Sequence, residues 1–360
     1  MEYRPGLEGV VAAETEISCL DTGQEQVVVR GYDLLELARK RSYPDVAGLL
    51  LDGRLPSPSE RARIEAELLA GARTVPGPVW GVLARLPREG HPMDALRTTV
   101  SALGLWGEPQ HPYRLIGQVA ALVANLIRVR EGEAPRLPEG DGGFAGAFLG
   151  MVTGRAHSPD EVRAFDQTLV AYSEHELPNS TFAARVIAST LADTHGALTG
   201  AAASLKGPLH GGANEAVMHM LLEGGDEAGL ERLIRERLAR GERIMGFGHR
   251  VYMGRMDPRA QLVKETLARL VARKAEGERL LRMCERGEEV MRREKGLYPN
   301  LDYYAAPVYY LLGILVGLYT PIFFVARSAG LLAHIREQQA RNRLFRPRVL
   351  YRGPRGLRVD

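Results

Sequence analysis

Gly207-Pro208-Leu209-His210-Gly211-Gly212-Ala213-Asn214 is the stretch of this sequence from which fold and function are best argued. It places one histidine between helix-breaking residues, just before a segment, 211–222, whose composition favours a helix. The glycines beside the ring leave room for a ligand to approach the backbone. A helix beginning near Gly211 would favour an anion at this position. A lone loop histidine is more often structural than catalytic, so His210 is a candidate that needs partners.

Two further segments carry groups suited to acid–base chemistry. His249 ends Gly246-Phe247-Gly248-His249, a glycine turn without the preceding strand that a dinucleotide-binding loop requires. Asp302 lies among aromatic and apolar residues, where burial would raise its pKa and make it a stronger base. The alternative for Asp302 is the N-cap of a helix that begins at Tyr303. Together with His210, these groups suggest acid–base catalysis if the fold brings them together.

Three other charged or titratable residues are candidates for binding. Arg327 is a lone charge inside a long apolar helix and should meet a carboxylate of the protein or of a ligand. Arg259 follows Asp257-Pro258, which is typical of a solvated helix start, although its guanidinium also suits carboxylate binding. His175 lies in Glu174-His175-Glu176, where the His-x-x-x-His spacing of a zinc helix is absent.

Composition sets broad limits on the class of protein. The chain has 360 residues, 45% hydrophobic and 25% charged, which is ordinary for a globular protein of about two domains. A net charge of +3 is too small to indicate nucleic-acid binding by itself. The two cysteines are far apart in sequence and the first residues lack a signal-peptide core, so we expect a cytoplasmic protein without a disulfide framework.

The hydrophobic pattern predicts a mainly α-helical fold. A small N-terminal hairpin is predicted from the apolar segments 10–13 and 27–30, which flank the turn Asp21-Thr22-Gly23. Ser57-Pro58-Ser59-Glu60 and Ser158-Pro159-Asp160-Glu161 both have the pattern of a capped helix start. No alternation of strands and helices is found, so a parallel sheet is not expected. Further helices are predicted near 94–104, 113–129, 181–192, 211–222, 226–239, 260–272 and 276–293.

The segment Ala305 to Ala326 is apolar enough to resemble a membrane span. Pro307, Gly313 and Gly317 interrupt it, and Thr320-Pro321 is typical of a helix start. We therefore expect two short buried helices with a turn between them, and no membrane insertion.

The C-terminal tail is strongly basic. From Arg336 onward it contains eight arginines, opposed only by Glu337 and Asp360. One interpretation is an arm that binds RNA or DNA. The other is a tail that docks on an acidic surface or reaches a second subunit.

Several motifs in order along the chain resemble those of the citrate synthase family. The matching segments are 207–214, Met-Gly-Phe-Gly-His-Arg-Val-Tyr at 245–252, Asp-Pro-Arg-Ala at 257–260, Tyr-Pro-Asn-Leu-Asp at 298–302, Tyr-Thr-Pro-Ile-Phe at 319–323 and Asn-Arg-Leu-Phe-Arg-Pro at 342–347. The resemblance implies a mainly α homodimer, in which residues 1–210 and 311–360 form a large domain and residues 211–310 form a small domain inserted in it. It also implies an acyltransferase that condenses acetyl-CoA with oxaloacetate and hydrolyses the resulting thioester.

The resemblance also implies a role for each candidate. Asp302 would remove a methyl proton, His210 would stabilise the enolate, and His249 would polarise the ketone of oxaloacetate. The carboxylates of oxaloacetate would be held by His175, Arg259, Arg327 and, from the other subunit, Arg346. Backbone groups of Ile244, Met245, Gly246, Phe247 and Gly248 would contact CoA. Acetyl-CoA would be a co-substrate, and no metal or tightly bound cofactor is implied.

Three alternatives remain open. A 2-methylcitrate synthase would use the same residues with propionyl-CoA. The chain has one residue more than is usual in the family between His249 and Arg259, which motivates a non-catalytic paralogue that binds acyl-CoA or a carboxylate. A nucleic-acid-binding protein would use the arginine-rich tail.

Overall fold

The computed structural model describes residues 3–21, 23–24, 26–106, 111–249, 251–252, 254–271 and 275–359. Helices dominate this part of the chain, and its only sheet is small and N-terminal. The strands are β1 (Ser18–Asp21), β2 (Gln26–Val29) and β3 (Tyr32–Asp33). The helices are α1 (Leu34–Lys40), α2 (Tyr43–Asp52), α3 (Pro58–Arg73), α4 (Gly77–Ala84), α5 (Pro92–Leu103), α6 (Pro112–Asn125), α7 (Gly143–Thr153), α8 (Pro159–Ser173), α9 (Asn179–Ala188), α10 (Thr194–Leu205), α11 (Ala213–Gly224), α12 (Glu227–Ala239), α13 (Pro258–Val271), α14 (Ala275–Lys295), α15 (Leu301–Leu311) and α16 (Tyr319–Ala340).

The predicted hairpin exists, but its first strand was placed too early. Strand β1 pairs antiparallel with β2, so that Ser18 lies opposite Val29, and β3 continues the sheet. Residues 10–13 form no strand, and Val11 is 90% exposed. The buried side chains of Ile17, Val27 and Val29 give the sheet its apolar face, whereas 10–13 has no surface to cover. Thr22, in the predicted turn, lies outside the described residues.

The helix starts predicted at Ser57 and Ser158 are confirmed. Ser57 and Glu60 form a reciprocal capping box at the start of α3, and Ser158 and Glu161 form another at the start of α8. Each of these boxes pairs two backbone amides that the first helical turn would otherwise leave without a partner. All the helices predicted from sequence are found, although those predicted for 113–129 and 181–192 end early, at Asn125 and Ala188.

Helix α16 lies at the centre of the core. In the described residues it is the one helix long and apolar enough to cross a membrane, yet 89% of its apolar window is buried inside the protein. It packs against α2, α6, α8, α9 and α10, which explains why it is apolar on all sides. The turn around Gly313 separates it from α15, as predicted, but α16 has 22 residues and is not the short helix that was expected.

The predicted start of α16 was wrong. The helix begins at Tyr319, so Thr320 is already inside its first turn. The Thr320 hydroxyl donates to the Gly211 carbonyl at 3.2 Å and to the Glu215 carboxylate. These tertiary contacts replace the cap that the local sequence suggested, and they tie α16 to the loop that carries His210.

Helices α11 to α15 pack mainly against one another, with the strongest pairings between α13 and α15 and between α12 and α14. They also contact α8 through α13 and α15. This arrangement suits a small unit at 211–310 that rests on the rest of the chain. Its movement as a separate domain stays a prediction.

Candidate active site

Backbone hydrogen bonds join the loop that ends at His249 to the segment that precedes Asp302. The Gly248 amide donates to the Tyr298 carbonyl at 2.8 Å, and the Asn300 amide donates to the Gly246 carbonyl at 2.9 Å. The side-chain amide of Asn300 also donates to the Gly248 carbonyl at 3.1 Å. Gly246 has φ +86°, and a Cβ there would lie 2.5 Å from Val217 Cγ2, so only glycine fits. The loop 244–248 is therefore rigidly attached to the start of α15.

Asp302 lies in the first turn of α15. The helix begins at Leu301 with Asn300 as its N-cap, so the alternative that Asp302 is a cap for a helix from Tyr303 is wrong. The Tyr172 hydroxyl donates to Asp302 Oδ1 at 2.7 Å. Removal from water raises the pKa of the Asp302 carboxyl to about 6, although the Tyr172 hydrogen bond and the charge of Arg259 oppose this rise. A partly buried carboxylate of this kind is well suited to act as a base near neutral pH.

His210 is held by Ser180, at the start of α9. The Ser180 amide donates to His210 Nε2 at 3.3 Å, and the Ser180 hydroxyl lies 2.8 Å from the same nitrogen. Because Nε2 accepts the amide proton, the ring proton is on Nδ1. Burial, aided by the charge of Arg327, lowers the pKa of His210 to about 4, so the ring is neutral at pH 7. A neutral imidazole with a free Nδ1–H can donate to a ligand oxygen.

His249 is oriented in a similar way but with the opposite tautomer. The Val251 amide donates to His249 Nδ1 at 3.1 Å, which leaves the proton on Nε2. Burial and the neighbouring Arg259 lower the pKa of His249 to about 4. The ring contacts His175 edge-on, with centroids 5.1 Å apart. His175 is itself buried, with Nε2 at 3.2 Å from the Tyr252 hydroxyl, and burial holds its pKa well below the usual value.

Arg259 is buried rather than solvated, which excludes the exposed helix start considered from sequence. Its Nε and Nη2 donate to the two oxygens of Asp257, at 3.1 and 2.7 Å. Asp257 is completely buried, and it also accepts the Leu301 amide next to Asp302. This pair uses two of the five N–H donors of Arg259, so the two hydrogens on Nη1 and the second on Nη2 can bind a ligand. Arg259 still influences the pKa of His175 and His249, so the extra residue in the preceding segment has not removed it from the site.

Arg327 is 2% exposed and has an incomplete set of partners. Its Nε donates to the Tyr172 carbonyl at 2.7 Å, and its guanidinium carbon lies 4.9 Å from the centre of the Phe323 ring. Nη1 is buried and has no hydrogen-bond partner among the described residues. Burial lowers the pKa of Arg327 to about 10, although the Glu174 carboxylate stabilises its charge. A buried donor without a partner is a reason to expect an anionic ligand.

Aromatic contacts connect the separate groups into one site. The Phe323 ring lies 4.4 Å from Tyr172 and 6.3 Å from His210, measured between ring centroids. The Tyr172 hydroxyl in turn donates a hydrogen bond to Asp302, and the Arg327 guanidinium stacks on the Phe323 ring. The six residues His175, His210, His249, Arg259, Asp302 and Arg327 therefore belong to one network of contacts and charge interactions. Three neutral imidazoles, one carboxylate of raised pKa and two guanidinium groups suit the binding of a carboxylate substrate and proton transfer beside it.

Arg346 is not part of this network in its own chain. It lies on the exposed tail after α16, where its Nη1 donates to the Pro347 carbonyl at 2.9 Å. It borders a different cavity, between the N-terminal segment, the end of α16 and the tail. Of the loop residues expected to contact CoA, Ile244 is buried and Phe247 packs on Tyr303, with centroids 4.4 Å apart.

Sequence reasoning missed the residues that support the candidates. Tyr172 hydrogen-bonds to Asp302, Ser180 to His210 and Tyr252 to His175. No local sequence pattern indicated these supporting roles, although Tyr252 ends the 245–252 motif. Asp257 accepts the Arg259 amide as the helix cap predicted from sequence, but its role as the ion-pair partner of Arg259 was not foreseen. In the described part of the chain, no group of three or more His, Cys, Asp or Glu side chains is placed to hold a metal ion.

Comparison with known proteins gives a consistent result. The family model described as "Citrate synthase, C-terminal domain" matches residues 6–348. The chain is 52% identical to a citrate synthase from Heyndrickxia coagulans, covering 100% of this chain and 98% of that one. It is 54% identical to a citrate/2-methylcitrate synthase from Bacillus subtilis (strain 168), covering 98% and 97%. Among solved structures, the citrate synthase from Thermoplasma acidophilum, in a ternary complex with carboxymethyl coenzyme A and oxaloacetate, matches with a TM-score of 0.92 at 30% identity. The match covers 99% of this chain and 98% of that one.

Proposed function

The chain belongs to the citrate synthase family, and on that premise we propose that it condenses acetyl-CoA with oxaloacetate to give citrate and CoA. The reaction is a Claisen-type condensation followed by hydrolysis of the citryl thioester. The observation that carries the proposal is the Asp302 carboxylate, with a pKa raised to about 6, in one contact network with two neutral imidazoles and Arg327. Such a group can take a proton from a weak carbon acid only if the resulting charge is stabilised beside it.

Asp302 is the proposed base. At pH 7 a carboxyl of pKa about 6 is mostly ionised, yet it binds a proton more strongly than an ordinary aspartate. His210 donates Nδ1–H to the thioester oxygen, where negative charge develops as the methyl proton leaves. In the neutral ring, the Ser180 amide at Nε2 fixes the proton on Nδ1, so this nitrogen is oriented to donate to the enolate oxygen.

His249 and the arginines act on the second substrate. His249 donates Nε2–H to the ketone oxygen of oxaloacetate and makes the carbonyl carbon more electrophilic, and it protonates that oxygen as the carbon–carbon bond forms. Arg327 binds one carboxylate through Nη1, which has no other partner among the described residues. His175 contacts the same substrate, as do the guanidinium N–H groups of Arg259 that do not bind Asp257. Arg346 completes the carboxylate site from the second subunit of a homodimer.

The remaining parts of the proposal concern CoA and location. The loop 244–248 lies along CoA, and closure of the 211–310 unit excludes water during condensation. Acetyl-CoA is a co-substrate, and the enzyme needs no metal or tightly bound cofactor. We propose that the enzyme works in the cytoplasm and in the tricarboxylic acid cycle. We propose no binding to nucleic acid or to a membrane. The free thiols of Cys19 and Cys284 support a reducing compartment.

A thiol-release assay tests this function directly. CoA thiol should appear when acetyl-CoA and oxaloacetate are both present, and not when either is left out. Thiol release that does not depend on oxaloacetate, or no release at all, would mean that the chain does not catalyse this condensation. The second outcome would favour the non-catalytic paralogue that binds acyl-CoA.

A second function is supported by the relative that is 54% identical, because its name includes 2-methylcitrate synthase. The same assay with propionyl-CoA measures this activity. We expect acetyl-CoA to give the higher kcat/KM. A large preference for propionyl-CoA would instead identify 2-methylcitrate as the main product.

A further inference from the structure

Tyr172 lies between the two halves of the proposed site, at the C-terminal end of α8. Its side chain is 1% exposed, and its ring packs on Phe323 at a centroid distance of 4.4 Å. The hydroxyl reaches Asp302 Oδ1 at 2.7 Å, a contact between residues that are 130 positions apart in the chain. A buried tyrosine hydroxyl needs a partner, and here the partner is the proposed base.

The direction of this hydrogen bond follows from its two groups. An ionised carboxylate can only accept, so the phenol donates. Burial, together with the charge of Asp302, raises the pKa of Tyr172 well above its usual value, so the hydroxyl keeps its proton. The carboxamide of Asn214 lies beside the phenol oxygen, and its Nδ2 is buried with no hydrogen-bond partner of ordinary geometry among the described residues. Both neighbours therefore favour a hydroxyl that points its proton at Asp302.

The same residue also contacts the proposed oxaloacetate site. The Tyr172 carbonyl accepts Nε of Arg327 at 2.7 Å. The end of α8 thus fixes the base through a side chain and the substrate-binding arginine through the backbone. A change of the hydroxyl alone should disturb the first contact and leave the second in place.

We propose that Tyr172 is a positioning residue for the condensation, in which its hydroxyl occupies Oδ1 of Asp302 and leaves Oδ2 as the oxygen that removes the methyl proton. This inference rests on the proposed function. The other charged groups that act on Asp302 are Arg259 and Arg327, which favour its ionised form, and Asp257, which opposes it. None of them belongs to α8, so the contribution of Tyr172 can be removed separately.

Tyr172→Phe tests the proposal, and Tyr309→Phe is the matched control. Tyr309 is also buried, its ring lies 6.5 Å from that of Tyr172, and its hydroxyl faces Thr168. Tyr172→Phe should lower kcat by roughly 10- to 100-fold, because an Asp302 carboxylate that is free to rotate no longer presents Oδ2 to the methyl group. The KM for oxaloacetate should stay within about twofold, because the backbone contact to Arg327 remains.

The pH dependence separates positioning from a merely structural role. Because the Tyr172 hydrogen bond lowers the pKa of Asp302, its loss should move the acid limb of the rate profile up by about one pH unit, and Tyr309→Phe should not move it. Titration of the ¹³C-labelled aspartate carboxyls should show the same upward shift without any need for turnover. Equal effects of the two substitutions, or an unchanged Asp302 titration, would overturn the role of Tyr172. Absence of thiol release from the unmodified protein would instead refute the proposed function, whatever the titration shows.

Discussion

Arg327 and Arg346 are proposed to bind the same substrate, but they lie in opposite surroundings. Arg327 is 2% exposed, stacks on Phe323 and donates to the Tyr172 carbonyl. Arg346 lies on the exposed tail, and its one described hydrogen bond goes to the neighbouring Pro347. The fold of a single chain thus fixes Arg327, whereas the proposed role of Arg346 requires a second subunit. Substitutions in the buried cleft should therefore have larger effects than substitutions in the exposed tail.

Asp302→Asn should abolish condensation and leave the fold intact. Asparagine can still accept the Tyr172 hydrogen bond but cannot take a proton, so kcat should fall by roughly 10³-fold. Thiol release measures the loss, and circular dichroism checks the fold. A loss of less than about tenfold would show that Asp302 is not the base.

Arg327→Ala and Arg346→Ala compare the two regions directly. Both should weaken oxaloacetate binding, with about a 100-fold loss of kcat/KM for Arg327→Ala and a smaller loss for Arg346→Ala. Only Arg327→Ala should also lower the free energy of unfolding, by roughly 3 kcal/mol, because it removes a positive charge that stabilises the buried Glu174 carboxylate.

Arg343→Ala is the control for the tail, since Arg343 is a neighbouring exposed arginine with no proposed contact to substrate. Kinetics and denaturant unfolding of all three variants provide the comparison. If Arg343→Ala and Arg346→Ala behave alike, Arg346 has no specific role, and the tail does not complete the site.

Gly330→Ala should damage the packing behind the cleft. A Cβ at this position in α16 would lie 2.5 Å from the Ser173 carbonyl and would also collide with the Glu174 carboxylate. We expect the free energy of unfolding to fall by about 2–3 kcal/mol. Gly356→Ala, on the exposed tail with no atom near its added Cβ, should cost only about 1 kcal/mol, the strain of an alanine at φ +75°. Equal losses in urea unfolding would mean that the cleft is no more tightly packed than the tail.

The pH dependence should report Asp302 alone between about pH 5 and 7. The base must be ionised, so kcat/KM should fall about tenfold for each pH unit well below the Asp302 pKa of about 6. His210 and His249, with pKa values of about 4, remain neutral over this range. A pH profile without an acid limb near 6 would contradict the assignment.

The raised pKa of Asp302 also predicts how the free energy of unfolding depends on pH. A carboxyl whose pKa is raised on folding contributes stability below its unfolded pKa of about 4, and this contribution is lost as pH rises through about 6. Asp302→Asn should therefore be more stable than the unmodified protein at pH 7, and this advantage should disappear near pH 4. Urea unfolding at both values checks the sign.

Sequence reasoning succeeded where the signal is local or compositional. The capping boxes at Ser57 and Ser158 depend on side chains three residues apart. The burial of Arg327 followed from its apolar neighbours, and the structure confirms it. The carboxylate expected beside it is Glu174, which acts at a distance through its charge rather than through a direct ion pair.

The errors and omissions have a common cause in long-range contacts. Thr320 was expected to cap α16, but Gly211 and Glu215 bind its hydroxyl instead. The first strand was placed at 10–13 because the valines there are apolar, yet the chain offers them nothing to pack against. The bond from Tyr172 to Asp302 joins α8 to α15, and no local pattern could reveal it. The family resemblance supplied the catalytic candidates but not these supporting groups.

The central claim is that Asp302 removes a methyl proton from acetyl-CoA in a site that also binds oxaloacetate. The most direct test is NMR detection of deuterium uptake from D₂O into the acetyl-CoA methyl group, with a 2-hydroxy dicarboxylate such as malate in place of oxaloacetate. This ligand fills the carboxylate site but has no ketone to react. We expect uptake with the unmodified protein and none with Asp302→Asn. Equal uptake by both proteins would show that another group removes the proton.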